Sequence, residues 1–347
     1  MVVDFQYKFL EIENMKKRRV VITGLGVITP IGIGKKAFWK ALTKGKSGIR
    51  RITRFDVSSY SSQIAGEVDG FDPTDYMDPK SVKRMDRFSQ FALACAKMAV
   101  EDSKLKIDQK NKEKIGVVLG SGLGGLSFGE EQHSIFMEKG LRRTSPFLAL
   151  NIFAGAAASN IAIEMGVSGY NNTLSTACST GSDAIGHAVH IIHSDLADTI
   201  ISGGAEAPLA PLCFGSFCTA RALSSHKNNT PEKASRPFDK DRDGFVMSEG
   251  AGILILEELS HALKRNAPIY AEVIGYGTTC DAYHMTKPLP SGEHTARAIK
   301  LAIKDADIKP EEISYFKAHG TSTVLNDKVE TKVIKDVFGK HAYKLPI

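Results

Sequence analysis

Read as apolar and polar positions, the chain falls into short β-branched runs separated by longer stretches of helical period. The runs "RRVVITG" (18–24), "KIGVVLGSG" (114–122), "DTIISGGAE" (198–206), "AGILILEE" (251–258), "IYAEVIGYG" (269–277) and "ISYFKAHG" (313–320) predict buried strands. Between them, "FSQFALACAKMAVEDSKL" (88–105) and "HTARAIKLAIKDADI" (294–308) repeat with the helical period. Such alternation predicts an α/β protein whose sheets are buried on both faces. Two strand exits look alike: "NTLSTAC" leads into a helix from Ser179 to Ser194, and "SYFKAHG" into a second helix after Asp327. Each places a reactive side chain just beyond a strand, where open α/β sheets build their sites. The expected organisation is an extension (1–14) before a second methionine, Met15, then a half carrying the first exit (15–265) and a half carrying the second (266–347).

The last helix, "DKVETKVIKDVFG", has capping-box spacing at Asp327 and Glu330, Val329, Val333 and Val337 on one face, and Gly339 as its stop. "HAYKLPI" then opens an apolar stretch and the sequence ends, which reads as a truncated second half.

Composition narrows the function classes. The chain has 347 residues, 42% of them apolar, enough for a substantial core. Its start lacks the pattern of a signal peptide, and no stretch approaches the roughly 18 apolar residues of a membrane helix. The net charge of +6 is concentrated in "MKKRR" (15–19), "KSVKR" (80–84) and "LRR" (141–143). These patches suit an acidic or phosphorylated partner, or simply a solvated surface. No nucleic-acid-binding signature accompanies them. An odd number of cysteines, five, without zinc-ligand spacing fits a reducing cytoplasm and no metal.

Cys178 is the first candidate for chemistry. It stands at a helix start, where the backbone N–H groups and the dipole favour a thiolate and could serve as oxyanion donors. The residue pattern alone fits a small buried apolar residue as well. His319 opens the hydroxyl-rich turn "HGTST" and could donate a hydrogen bond or exchange a proton, or be satisfied within a βα turn. Capping alone explains Asp327 and Glu330. His187, His190 and His193 lie on the Cys178 helix with only Asp195 near them, which favours packing or surface roles over a metal site. His284 is a possible pocket residue. "ITGLGVITPIG" has two glycines of a dinucleotide fingerprint, but Thr29 fills the third position and no acidic residue closes a second strand.

Seven segments in order, "RVVITGLGVITPIG", "GSGLGGL", "STACSTGSDAIGHA", "SGGAEAP", "SRPFDKDRDGFVMSEGAG", "DAYHMT" and "KAHGTST...ND", cover almost everything from Arg19 to Gly339. Together they resemble the β-ketoacyl-acyl-carrier-protein synthases, the elongating type I/II group of the thiolase superfamily, type II in particular. The resemblance implies a thiolase-like α/β fold: two similar halves, each with a buried mixed sheet layered between helices, the second incomplete here. It implies an acyltransferase of fatty acid biosynthesis that condenses malonyl-acyl carrier protein with an acyl-enzyme thioester. The substrates ride on the carrier's phosphopantetheine, and no other cofactor is implied. Cys178 becomes the acylated nucleophile and His319 one of two catalytic histidines. Thr321 and Thr323 match residues near the pantetheine arm, and Asp327 and Glu330 belong to the supporting polar network. Lys80, Lys83 and Arg84 are candidate contacts for the acidic carrier protein, and Gly129 lies at the base of the acyl pocket. A homodimer is implied, with no nucleic acid and no membrane insertion.

The match departs from the family at Val324, where a proline is usual, and stops before the family's Lys-Ser segment, second histidine and glycine-rich loop. The expectation is that this polypeptide alone condenses slowly and folds poorly. The alternative is an inactive relative or fragment that serves as a dimerisation or carrier-binding module. A thiolase acting on acyl-CoA is disfavoured by the "HGTST" context.

Overall fold

The computed structural model describes residues 18–347; the 1–14 extension and most of the "MKKRR" run lie outside them. The strands are β1 (Val20–Thr29), β2 (Gly32–Ile33), β3 (Ile49–Arg51), β4 (Ile64–Gly66), β5 (Ile115–Gly120), β6 (Asn171–Leu174), β7 (Thr199–Glu206), β8 (Gly250–Glu258) and β9 (Ala271–Glu272). One mixed sheet has the order β2-β1-β8-β7-β5-β6, with β9 also paired to β1. Strands β5, β6 and β7 run parallel, whereas β8 is antiparallel to both β7 and β1. Strands β3 and β4 form a separate antiparallel pair.

Helices cover both faces of this sheet. The Arg87–Ser103 helix is capped by Asp86, whose carboxylate accepts from the Phe88 N–H at 2.9 Å. It packs with the Ala156–Met165 helix over Ile28, Val117, Ile253 and Ile255. Phe88 and Phe91 are fully buried there, each worth about 1.5–3 kcal/mol of apolar burial. On the opposite face, Ala184, Ala188 and Ile192 of the Thr180–His193 helix pack on Val20, Val118, Ile200 and Leu256. Every residue of β5 is buried, as a parallel strand covered on both sides requires.

The glycines of "ITGLG" have a packing purpose rather than a phosphate-binding one. A Cβ on Gly26 would stand 1.9 Å from the Cys95 carbonyl oxygen, and one on Gly24 2.1 Å from that of Ala99. The Arg87–Ser103 helix therefore lies backbone against backbone on β1. The same contact recurs later: Cβ atoms on Gly275 and Gly277 would meet the carbonyl oxygens of Ala302 and Ala298, in the Glu293–Asp305 helix, at 2.3 and 2.2 Å.

Two expected strands differ from expectation. Of 269–277 only Ala271–Glu272 joins a sheet, and 313–320 joins none. Among the described residues no strand lies beside 313–320 to exchange ladder hydrogen bonds; the Phe316 N–H donates instead to the Pro346 carbonyl at 2.9 Å. Ile313 and Phe316 pack on Ile334, Phe338 and Leu345 in a small core of their own. The last helix also starts earlier than its spacing suggests, at Val324, with Thr323 as the capping residue. Asp327 and Glu330 are drawn away from capping by outside donors.

Candidate active site

Strands β5, β6 and β7 are parallel, so their carboxyl ends open on one edge of the sheet. After β6 the chain makes a single tight turn, Ala177–Ser179, before the Thr180–His193 helix begins. Ala177 adopts φ 54°, a left-handed conformation that costs a residue with a side chain roughly 1–3 kcal/mol. Thr180 secures it: its hydroxyl accepts from the Thr176 N–H at 2.8 Å and donates to the Ala177 carbonyl at 2.6 Å. The result is an exposed Cys178 at the mouth of a helix N-terminus. Beside it, the loop after β5 is tied down by Glu206 at the end of β7, which accepts from the Ser121 hydroxyl and the Gly122 N–H, both at 2.8 Å.

The His319 imidazole meets this thiol. Its hydrogen bond and positive charge pull the Cys178 thiol below its ordinary range, aided by the cysteine's own N–H and opposed by partial burial. The imidazole is raised in return, first by the hydrogen bond to Cys178, then by the charges of the thiolate, Glu330 and Asp327, against burial. Each group therefore favours the charged form of the other.

His319 is held from behind by carboxylates. Glu330 accepts from the His319 N–H at 2.6 Å and from the Gly320 N–H at 2.9 Å. Asp327 accepts from the Phe238 N–H at 2.8 Å and pairs with Arg242 at 3.4 Å. The Thr321 and Thr323 hydroxyls share a hydrogen bond of 2.8 Å. The structure thus brings Cys178, His319, Thr321, Thr323, Asp327 and Glu330 into one hydrogen-bonded region.

The remaining candidates lie apart from this network. Lys80, Lys83 and Arg84 are exposed, with the Arg84 guanidinium over the Phe147 ring at 5.5 Å. Gly129 is in the Leu126–Lys139 helix, where an added Cβ would touch the Ile152 side chain at 3.4 Å. Arg18 and Arg19 of the first basic run pair with Asp198 and Glu272, each at 2.5 Å. His187 contacts the Tyr170 hydroxyl at 3.1 Å, and the His190 ring lies edge-on to Tyr276. His284 lines an open cleft of about 630 Å³ together with Thr176, Ser179, Asp183 and Cys280.

Two arginines act as braces that no motif in the sequence singles out. Arg236 and Arg242 of "SRPFDKDRDGF" support the histidine turn: the Arg236 N–H donates to the Ser322 hydroxyl at 3.2 Å, and the Arg242 Nε to the Thr323 carbonyl at 3.0 Å. Phe238 is held at φ 65° between them. The dense Arg/Asp alternation of that segment was the available signal.

Comparison with known proteins agrees with this geometry. Residues 17–262 match the family described as "Beta-ketoacyl synthase, N-terminal domain", and residues 270–347 match "Beta-ketoacyl synthase, C-terminal domain". The chain belongs to the beta-ketoacyl synthase family. This ketoacyl synthase is 50% identical over 334 residues to "3-oxoacyl-[acyl-carrier-protein] synthase 2" of Synechocystis sp., covering 96% of this chain and 80% of the relative. The protein of the same name from Coxiella burnetii is 48% identical, with the same coverages. Among solved structures, a type II polyketide ketosynthase in complex with its acyl-carrier protein, bound to the hexaketide, matches with TM-score 0.84 and 36% identity, over 96% of this chain and 80% of that one. A beta-ketoacyl synthase from Burkholderia phymatum matches with TM-score 0.85 and 33% identity, over 93% and 79%. The fold of this ketoacyl synthase is the thiolase-like α/β fold of these enzymes.

Proposed function

We propose that this ketoacyl synthase is a 3-oxoacyl-[acyl-carrier-protein] synthase of fatty acid biosynthesis, elongating an acyl chain by two carbons. The observation that carries the reading is the His319 imidazole hydrogen-bonded to the Cys178 thiol at a helix N-terminus, an arrangement in which each group favours the charged form of the other.

In the first half-reaction the Cys178 thiolate attacks the acyl thioester carbonyl of the acylated carrier. Helix N-terminal N–H groups stabilise the oxyanion, the carbon–sulfur bond to the phosphopantetheine breaks, and the departing thiolate takes a proton from His319. In the second, malonyl-acyl carrier protein loses CO₂. The electron pair of the broken bond attacks the Cys178 thioester, returning the thiolate and releasing the 3-ketoacyl carrier protein. His319 donates to the malonyl thioester carbonyl as the enolate charge develops there. Thr321 and Thr323 face the pantetheine arm, and Asp327 and Glu330 hold the histidine turn. Gly129 borders the acyl pocket, and Lys80, Lys83 and Arg84 receive the acidic carrier protein. The same reading carries a cytoplasmic homodimer, supported by five free cysteines and by exposed Leu150, Ile152 and Phe153.

Incubation with acyl carrier protein bearing a radiolabelled acyl group tests it. The label transfers to Cys178 and is released by hydroxylamine, whereas Cys178→Ala stays unlabelled. Equal labelling of Cys178→Ala would overturn the assignment.

A further inference from the structure

The turn bearing Cys178 is bracketed by two hydroxyls that converge on one carboxylate. Asp183, one helical turn on, accepts from the Thr176 hydroxyl at 2.5 Å and the Ser179 hydroxyl at 2.7 Å through Oδ2. Its Oδ1 accepts from the Tyr276 hydroxyl at 2.6 Å. Among the described residues no cation pairs with Asp183; three hydroxyl donors satisfy it and keep it ionised.

Tyr276 arrives from the other end of the chain. Its backbone N–H donates to Asp305 at 3.0 Å, and its ring lies edge-on to His190. Gly186 makes room for it: a Cβ there would stand 2.3 Å from the tyrosine ring. Residues 17–262, which carry the cysteine, are thereby joined to residues 270–347, which carry the histidine, through a phenol–carboxylate hydrogen bond.

We infer that Asp183, gripped by Tyr276, is a positioning residue for the nucleophile, holding the Thr176–Ser179 turn at the angle that presents Cys178 to His319. This rests on the reading of Cys178 as nucleophile. Asp183 acts through the two hydroxyls and touches no reacting atom. His319 is the ionisable group facing the thiol, itself backed by Glu330 and Asp327. A loosened turn separates thiol from imidazole and returns the thiol toward its ordinary value.

The test is the pH profile of Cys178 alkylation by iodoacetamide on the full chain, read by peptide mass spectrometry so that Cys280, also exposed, is scored separately. Asp183→Ala should move the midpoint upward by about one unit, cutting the rate at neutral pH about tenfold. Asp183→Asn, which keeps one acceptor oxygen, should restore part of it. Tyr276→Phe removes a single hydroxyl while keeping the ring on Gly186, and should slow alkylation about threefold in the same direction.

Charge acts with the opposite sign. Removing a negative group near a thiol, with geometry intact, lowers the midpoint, so a downward shift would overturn the inference. Profiles matching the parent's, with only Tm lowered, would equally reduce Asp183 to a structural brace. Acyl transfer from the labelled carrier separates this from the functional reading: an upward shift in a protein whose Cys178 takes no acyl group leaves the positioning role standing and defeats the proposed function.

Discussion

Glu330→Gln isolates what holds His319. The carboxylate is 9% exposed and receives two backbone N–H groups, from His319 and Gly320, on separate oxygens. Glutamine has the same shape but one acceptor oxygen, so one N–H meets an amide NH₂ instead. A hydrogen bond to a charged acceptor contributes about 1.5–3 kcal/mol, and a buried donor left unsatisfied costs about 1–3 kcal/mol. The expected loss of stability is about 2–4 kcal/mol, or roughly 3–6 °C in Tm for a chain of 347 residues. Chemistry should move as well. Glu330 helps to raise the His319 imidazole, so its removal lets the imidazolium discharge at lower pH. A histidine less charged and less well seated gives the thiol less support, and its ionisation midpoint rises. Calorimetry gives the first quantity, and the pH profile of Cys178 alkylation the second, with roughly a tenfold slower reaction at neutral pH. A Glu330→Gln protein that unfolds and alkylates like the parent would refute the reasoning.

Gly26→Ala places a methyl group 1.9 Å from the Cys95 carbonyl oxygen, and no side chain can swing aside because the obstacle is backbone. Strand and helix must part, at a cost of about 3 kcal/mol or more; an unchanged thermal midpoint would show that this contact is looser than described. Charge reversal at Lys80, Lys83 and Arg84 should raise the KM for carrier protein about tenfold, with less salt dependence and no change in Cys178 alkylation. An unaltered KM would reject that surface as the docking site.

Much of this was legible along the chain because period and burial go together. The strand cores from β1, β5, β7 and β8, and the two long amphipathic helices, follow apolar spacing that only one face of a helix or a buried strand can satisfy. Cys178 was visible at the exit of β6, whereas the strand expected before His319 joins no sheet, and nothing local states that positions 178 and 319 meet. Asp327 and Glu330 show the limit most clearly. Their spacing matches a capping box, but Phe238, His319 and Gly320 offer better donors than the helix's own first turn, and tertiary contacts win. Asp183 sits in the first turn of its helix, where an acid needs no further explanation, and nothing local points to its partner Tyr276, 93 positions away.

The segment Gly275–Tyr276–Gly277 carries a consequence beyond close packing. Its two glycines face the Glu293–Asp305 helix while the tyrosine between them faces Gly186 and Asp183 on the opposite side. Alternation of this kind makes one length of backbone serve two layers at once, so the seat of a distant helix and the aim of a phenol beside the Cys178 turn share a single register. A slip of one residue would push a tyrosine ring into the helix and leave Asp183 facing a residue with no hydroxyl. Errors in folding this stretch are therefore reported at the thiol, and a chain that reacts well at Cys178 certifies the packing of a helix that never touches it.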